Sequence, residues 1–163
     1  MTNVGQSQNP VTRVQAALDA LGLGIQIQRF EVPTATAAQA AAAIGCELGA
    51  IVKSLCFLVD GQAVLVLAAG DRRVDGKALR RIFGVSKKKV KTADPAAVLA
   101  ATGYPVGGVP PLGHPEPLPT LIDASLARFE TVYAAAGSDD TIFPIPYQTL
   151  VKVTHGEVHE LAL

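Results

Sequence analysis

Three observations predict an α+β, mixed α/β domain built on a mainly antiparallel sheet. Two apolar segments, Ile51 to Val59 and Gln62 to Ala69, are separated by Asp60-Gly61, the strongest short hairpin signal a sequence can carry. Helical and strand-like runs follow one another in an order that suits sheet and helices in one layered domain. A length of 163 residues with 49% hydrophobic side chains fills one core, so a single domain over residues 1–163 is expected, with residues 1–9 a flexible N-terminus.

The elements take their bounds from local chemistry. Asn9-Pro10 supplies a cap and a first helical residue, Val11, Val14, Leu18 and Leu21 recur at helical spacing, and Gly22 stops the run. Ile25 and Ile27 alternate with Gln26 and Gln28 as in a half-buried edge strand ending near Val32-Pro33. Thr36 precedes an alanine-rich helix that closes at Gly45, and its small side chains suit tight packing. The hairpin comes next and should lie at the centre of the sheet. From Asp75 the pattern turns helical, with Ala78, Leu79, Ile82 and Phe83 on one side and Lys77, Arg80 and Arg81 on the other, until Gly84. Asp94-Pro95 opens a helix that Gly103 closes. Tyr104 to Pro119 holds six of the eleven prolines together with Gly107, Gly108 and Gly113, which makes a stiff loop too long to be mere connection. Strands are expected near Thr120 to Asp123 and Thr131 to Ala136, then a helix around Tyr147 to Thr154 and a short strand from Glu157.

Charge is distributed unevenly behind a formal net charge of zero. Residues 72 to 91 carry Arg72, Arg73, Lys77, Arg80, Arg81, Lys87, Lys88, Lys89 and Lys91 against Asp75 alone, a local charge of +8. Such a block can seat a polyanion, and its alternative role is a solvated helix face. With eight aromatics and no Trp, the chain is poorly equipped to stack a long single strand, so structured RNA or a short end is the better match. The longest apolar run, Ala63 to Ala69, is far too short for a bilayer, and Met1 to Thr12 lacks a signal-peptide core, so a cytoplasmic location without membrane partners is expected. Cys46 and Cys56 are too few for a disulfide framework and are read as free thiols.

A few residues could carry chemistry. Lys53 stands inside an apolar segment, where a cation is costly unless an anion meets it; it is either a phosphate donor or the water-facing side of an alternating strand. The run Val106-Gly107-Gly108-Val109-Pro110-Pro111-Leu112-Gly113-His114 combines glycines, which permit close backbone approach and free N–H groups, with prolines that fix the path. Rigid amides of that kind suit an oxyanion or a carbonyl oxygen, and the alternative is a stiff surface loop. His114 could bond a ligand hydroxyl, act as acid or base, or brace the loop. His155 and His159 are separated by Gly156 and make a poor metal pair. Asp71 and Asp75 bracket two arginines and could cap the following helix or position the arginines. Glycine-rich nucleotide loops and the serine-hydrolase elbow are absent, so nucleotide hydrolysis and a serine triad lack support.

Four motifs in order, Ile51-Val52-Lys53-Ser54-Leu55, Gly70-Asp71-Arg72-Arg73-Val74-Asp75, Thr102-Gly103-Tyr104 and Gly107 through His114, resemble the YbaK-like aminoacyl-tRNA deacylases. That group includes free-standing, ProX-like editing proteins and the editing insertion of bacterial prolyl-tRNA synthetases. The resemblance runs from about Val11 to the end and implies a partly barrel-like sheet surrounded by helices, with a pocket for a charged tRNA 3′ end. It implies that Lys53 meets a phosphate, that Gly107, Gly108 and His114 join it at the catalytic centre, and that Val109, Pro110, Pro111, Gly113, Asp71 and Gly137 bind substrate. Arg72, Arg73, Lys77, Arg80, Arg81, Lys87, Lys88 and Lys89 would then hold RNA. No metal, cofactor or protein nucleophile is implied, and the partners expected are the acceptor end of misacylated tRNA and a prolyl-tRNA synthetase, with no DNA. The expected activity is removal of alanine, cysteine or another small residue from tRNA for proline, against the alternative of a non-catalytic tRNA-binding or synthetase-associated module. A departure from the group is Gly137 followed by Ser138-Asp139-Asp140, whose carboxylates could alter pocket polarity.

Overall fold

The computed structural model describes residues 9–163; residues 1–8, most of the expected flexible N-terminus, lie outside it. Among the described residues, five helices surround one sheet of eight strands. The helices are α1 (Pro10–Ala20), α2 (Ala37–Ile44), α3 (Gly76–Phe83), α4 (Pro95–Thr102) and α5 (Tyr147–Thr154). The strands are β1 (Gln28–Arg29), β2 (Ile51–Val59), β3 (Gln62–Ala69), β4 (Val90–Thr92), β5 (Thr120–Asp123), β6 (Thr131–Ala135), β7 (Thr141–Pro146) and β8 (Glu157–His159). The path through the sheet is β1-β7-β6-β2-β3-β5-β8, with β4 paired to β2 beside it.

The hairpin sits at the centre because its residues can be buried on both faces. β2 and β3 pair antiparallel along their whole length, from Val52 opposite Ala69 to Val59 opposite Gln62. Val64 to Ala69 are all buried, which fits an unbroken apolar run flanked by strands. Pairings of β1 with β7, β2 with β4 and β6 with β7 are also antiparallel, while β2 with β6, β3 with β5 and β5 with β8 are parallel. The sheet is therefore mixed, with most of its register antiparallel.

Helix ends follow the expected capping chemistry. Asn9 accepts from the Thr12 N–H, Thr36 and Gln39 form a reciprocal capping box, Asp75 accepts from Lys77 N, and Asp94 accepts from Ala97 N. Gly45, Gly84 and Gly103 close α2, α3 and α4 in the left-handed conformation that glycine adopts without strain.

The structure differs from sequence expectation in three strands. The alternation from Ile25 yields only the two-residue β1, because the Gln15 side chain takes up the Ile25 carbonyl (2.9 Å) and the Ile27 N–H (3.1 Å) in place of a neighbouring strand. β7 was hidden by Pro144 and Pro146, which a central strand excludes. Its outer edge is covered by β1 only at Thr141 and Ile142, so the proline nitrogens leave no ladder bond unmade there. β4 lies inside the basic block, three residues long and defined by the far end of β2.

Candidate active site

The site arises from a break in the pairing of β2. Gly70 N donates to Ile51 O at 2.8 Å, so the odd residues of β2 turn their main-chain groups toward β3 and the even ones toward the opposite edge. On that edge Val52 meets β6, while Cys56 O accepts from Ala93 N at 3.1 Å and Leu58 meets β4. Ser54 falls between the two partners, and its main-chain N–H and C=O have no strand opposite them. A cavity of about 700 Å³ opens at this seam. It is lined by Ile51 to Phe57, by Thr34 to Ala37 ahead of and within α2, by Thr92, Ala93 and Val98, by Tyr133 to Ala135, and by Arg73, Val106, Gly107 and Val109.

Strand alternation puts different chemistry on the two sides of the seam. Lys53 shares a face with Leu55 and Phe57, and its Nζ donates to Arg72 O at 2.5 Å. Burial pushes the Lys53 ammonium below its ordinary value, the Asp71 carboxylate pulls it back up, and Arg73 pushes it down. Ser54 shares the other face with Val52 and Cys56, against Ala93, Val98, Val109 and Ala134. Its Oγ is buried and, among the described residues, has no hydrogen-bond partner. Burial raises the Cys56 thiol, which keeps it protonated and a poor nucleophile at neutral pH.

The glycine and proline loop forms another wall, and it is braced from behind. Gly107 lines the cavity at φ +89°, with no acceptor for its N–H among the described residues. Gly108 does not line it: its N–H donates to Pro105 O at 3.0 Å, and its carbonyl accepts from Gly137 N at 2.8 Å. A Cβ on Gly108 would stand 2.7 Å from Ser138 N, and one on Gly137 would stand 2.8 Å from the Pro10 carbonyl carbon. These glycines permit three backbone segments to cross at close range. Val109 reaches the cavity, whereas Pro110, Pro111 and Gly113 lie behind it, the two prolines buried.

His114 also stands behind the loop. Its Nε2 donates to Pro110 O at 2.8 Å, its ring meets Tyr104 edge-on at 6.2 Å, and burial holds its pKa below the ordinary value. Tyr104 donates to Gly113 O at 2.7 Å and lies under the Arg13 guanidinium, 4.7 Å from the ring centroid. Asp71 is outside the cavity lining, its carboxylate held by Arg128 at 2.8 and 3.0 Å. Asp140 pairs with Arg29 at 2.8 Å and accepts from Ser138 Oγ at 2.6 Å, and Asp139 O accepts from Thr34 N at 2.6 Å. The Ser138-Asp139-Asp140 turn thus fastens the segment before α2 to the sheet, and neither carboxylate lines the cavity.

The basic block runs from one border of the cavity to another. Arg73 is on the lining, and Arg72 contributes the carbonyl that holds Lys53. Ala78 and Leu79 bury α3 against the sheet, which leaves Lys77 and Arg81 exposed and Arg80 half-buried. Lys87, Lys88 and Lys89 form an exposed 3-10 turn leading into β4, with Lys89 paired to Asp60 at 3.3 Å, and β4 ends at Thr92 on the lining. Among the described residues no group of three His, Cys, Asp or Glu side chains is placed to hold a metal ion. No helix among them is long and apolar enough to cross a membrane.

Ser54 and the segment Thr34 to Ala37 were not anticipated. A serine at a core-facing register inside an apolar strand was the available signal for the first; the second depends on bonds to Asp139 and Asp140, which no local pattern announces.

The mixed α/β fold is shared with proteins of the tRNA-editing class. The chain belongs to the aminoacyl-tRNA editing domain family, whose model matches residues 31–153. YwhH of Bacillus subtilis, an uncharacterized protein, is 38% identical over 133 residues, covering 81% of this chain and 83% of that one. The proline–tRNA ligase of Desulfovibrio desulfuricans is 39% identical over 85 residues, 52% of this chain but 14% of the ligase. A solved structure described as "a putative trans-editing enzyme for prolyl tRNA synthetase" superimposes with a TM-score of 0.88 at 36% identity, over 96% of this chain and 98% of that one. The enzyme class expected from sequence, aminoacyl-tRNA deacylase, agrees with the family.

Proposed function

We propose that this protein is a trans-editing hydrolase that removes a small amino acid, alanine or cysteine among the candidates, from misacylated tRNA for proline. What carries the reading is that Lys53 and Gly107 line one cavity at the β2 seam, so a phosphate and an ester carbonyl can be held together. Lys53 meets a phosphate of the 3′ end as a point charge, with Arg73 beside it. The unpartnered Gly107 N–H polarises the ester carbonyl, and water, assisted by the neighbouring ribose hydroxyl, adds to the carbonyl carbon. The ester C–O bond then breaks, releasing the amino acid and leaving a hydroxyl on the ribose. Ser54 Oγ, among Ala93, Val98, Val109 and Ala134, offers the aminoacyl group a hydrogen bond within an otherwise apolar wall. His114 and Gly108 serve by holding the loop rather than by touching substrate.

The relatives' names support prolyl-tRNA as the context, and a prolyl-tRNA synthetase as a partner. The basic block from Arg73 to Lys89 would follow the acceptor arm. The test is deacylation of a panel of mischarged tRNAs by wild type, Lys53→Ala and Lys53→Arg. Removing one charge-assisted hydrogen bond, about 1.5–3 kcal/mol, should lower kcat/KM roughly 10- to 100-fold in Lys53→Ala. Absence of turnover by the wild type on every member would overturn the proposal.

A further inference from the structure

Lys53 is surrounded by more charge than the reaction needs, and the arrangement of that charge is specific. β3 ends in a turn, Gly70 to Arg73, closed by Arg72 N donating to Ala69 O at 3.0 Å. The turn delivers the Arg72 carbonyl to Lys53 Nζ and places the Asp71 carboxylate close enough to favour the charged ammonium. A carboxylate one residue from that carbonyl would, once free to approach the ammonium, compete with any phosphate that has to bind there.

Asp71 is kept from this competition chiefly by a residue far away in sequence, with Arg72 Nε a looser partner at 3.6 Å. Arg128, at the end of the 3-10 turn Ala124–Arg128 that follows β5, donates from both terminal nitrogens to the two carboxylate oxygens, at 2.8 and 3.0 Å. This fork-on-carboxylate geometry occupies both oxygens at once. The guanidinium is itself fixed, with Nε donating to Ser125 O at 2.6 Å and its carbon over the Phe129 ring at 5.0 Å. Space for the pair is reserved on a third element: a Cβ on Gly49 would stand 2.8 Å from Arg128 Nη2 and 3.0 Å from each Asp71 oxygen. A Cβ on Gly70 would collide with Leu48 O, so the two turns meet with no room to spare.

We propose that Arg128 is a positioning residue for deacylation: by holding Asp71 in a bidentate pair it keeps that carboxylate off Lys53, leaving the ammonium to the substrate's phosphate. This rests on the reading of Lys53 as the phosphate contact. Asp71, expected from sequence at the substrate, is then the group the substrate must be protected from. Lys53 is held meanwhile by a neutral carbonyl, which a phosphate can outcompete.

The experiment compares Arg128→Ala, Asp71→Asn and the double variant in two measurements. In deacylation of a mischarged tRNA, Arg128→Ala should lose at least about tenfold in kcat/KM, mostly through KM, while Asp71→Asn stays within about threefold of wild type and the double variant returns to its level. In a titration of the Lys53 side chain by carbon-13 NMR, Arg128→Ala should raise the Lys53 midpoint, and adding Asp71→Asn should reverse the rise. A double variant as impaired as Arg128→Ala, or an unmoved Lys53 midpoint in Arg128→Ala, overturns the proposal. If the wild type turns over no mischarged tRNA yet the midpoint moves as stated, the editing reading fails and the screening of Asp71 by Arg128 stands. Thermal unfolding of each variant identifies any loss that comes from misfolding, and Arg128→Lys, which keeps the charge without the fork, should fall between wild type and Arg128→Ala.

Discussion

Apart from the close meeting of Gly49 and Gly70 with the turns behind Lys53, the lysine wall and the loop wall of the cavity are held by different forces. Around Lys53 the interactions are polar and partly exposed: an ammonium on a carbonyl, a carboxylate on a guanidinium, and basic side chains continuing outward along α3. Around Gly107 they are steric, with Gly108 against Ser138, Gly137 against Pro10 and buried prolines between. A wall built of screened charges responds to salt and to single charge changes while the fold persists. A wall built of crossing backbones tolerates almost no added volume. The division suits the proposed reaction, in which the site releases a polyanion after each turnover yet holds the Gly107 amide in one place.

The sharpest way to break this comparison is to add one methyl group to each side. Gly137→Ala combines a Cβ 2.8 Å from the Pro10 backbone with φ +106°, and Gly108→Ala puts a Cβ 2.7 Å from Ser138 N. Each should cost at the upper end of the about 1–3 kcal/mol typical of overpacking, a fall of roughly 5–10 °C in unfolding temperature. Gly76→Ala, at the first residue of α3 with nothing within 4 Å of the added Cβ, should be neutral or stabilise by up to about 1 kcal/mol. Thermal unfolding of the three variants decides the matter. Equal losses on both sides would mean that the loop is no stiffer than the basic face.

Charge reversal probes the opposite wall. Lys87→Glu with Lys88→Glu should leave the unfolding temperature nearly unchanged, since both side chains are exposed on a 3-10 turn. The plot of log Kd for tRNA against log salt should flatten by roughly one for each phosphate that is no longer neutralised. Binding that ignores salt would remove the basic block from the RNA surface.

How much of this was legible in the sequence follows from the range of the interactions involved. The hairpin, the capped helices and the bounds of α4 could be read because Asp60-Gly61, Asp94-Pro95 and Thr36 act within a few residues. The seam in β2 could not, since it depends on β6 leaving after Val52, which pairs with Ala134, and on β4 arriving only at Phe57, which pairs with Thr92. Lys53 was found because an ammonium in an apolar strand violates a local rule. Ser54 violates the same rule more quietly, and the Asp71–Arg128 pair spans 57 residues with no pattern to join its members. Glycine and proline content marked the loop and resemblance to a family gave it a catalytic role, but neither could separate Gly107, which fronts the cavity, from Gly108 and His114, which stand behind it.

The smallest expected effect concerns that support. The Pro110 carbonyl can only accept, so Nε2 of His114 carries a proton, and burial depresses the ring's pKa relative to the unfolded chain against the upward pull of that bond, which leaves the ring neutral at pH 7. The unfolded chain therefore binds the proton more readily than the folded one. The stabilisation is fully present above the unfolded value near 6.5 and is lost as pH falls from there through the folded value. In His114→Gln the side-chain amide can still donate to Pro110 O but does not titrate, so its unfolding temperature should fall less between pH 7 and pH 5 than that of the wild type. Because no charge on the lysine wall titrates with His114, Lys53-dependent tRNA binding at pH 7 should be the same in both proteins. A wild type and a variant with parallel pH profiles would mean that the histidine is free to reorient toward water, and that the loop wall owes its stiffness to the glycine crossings alone.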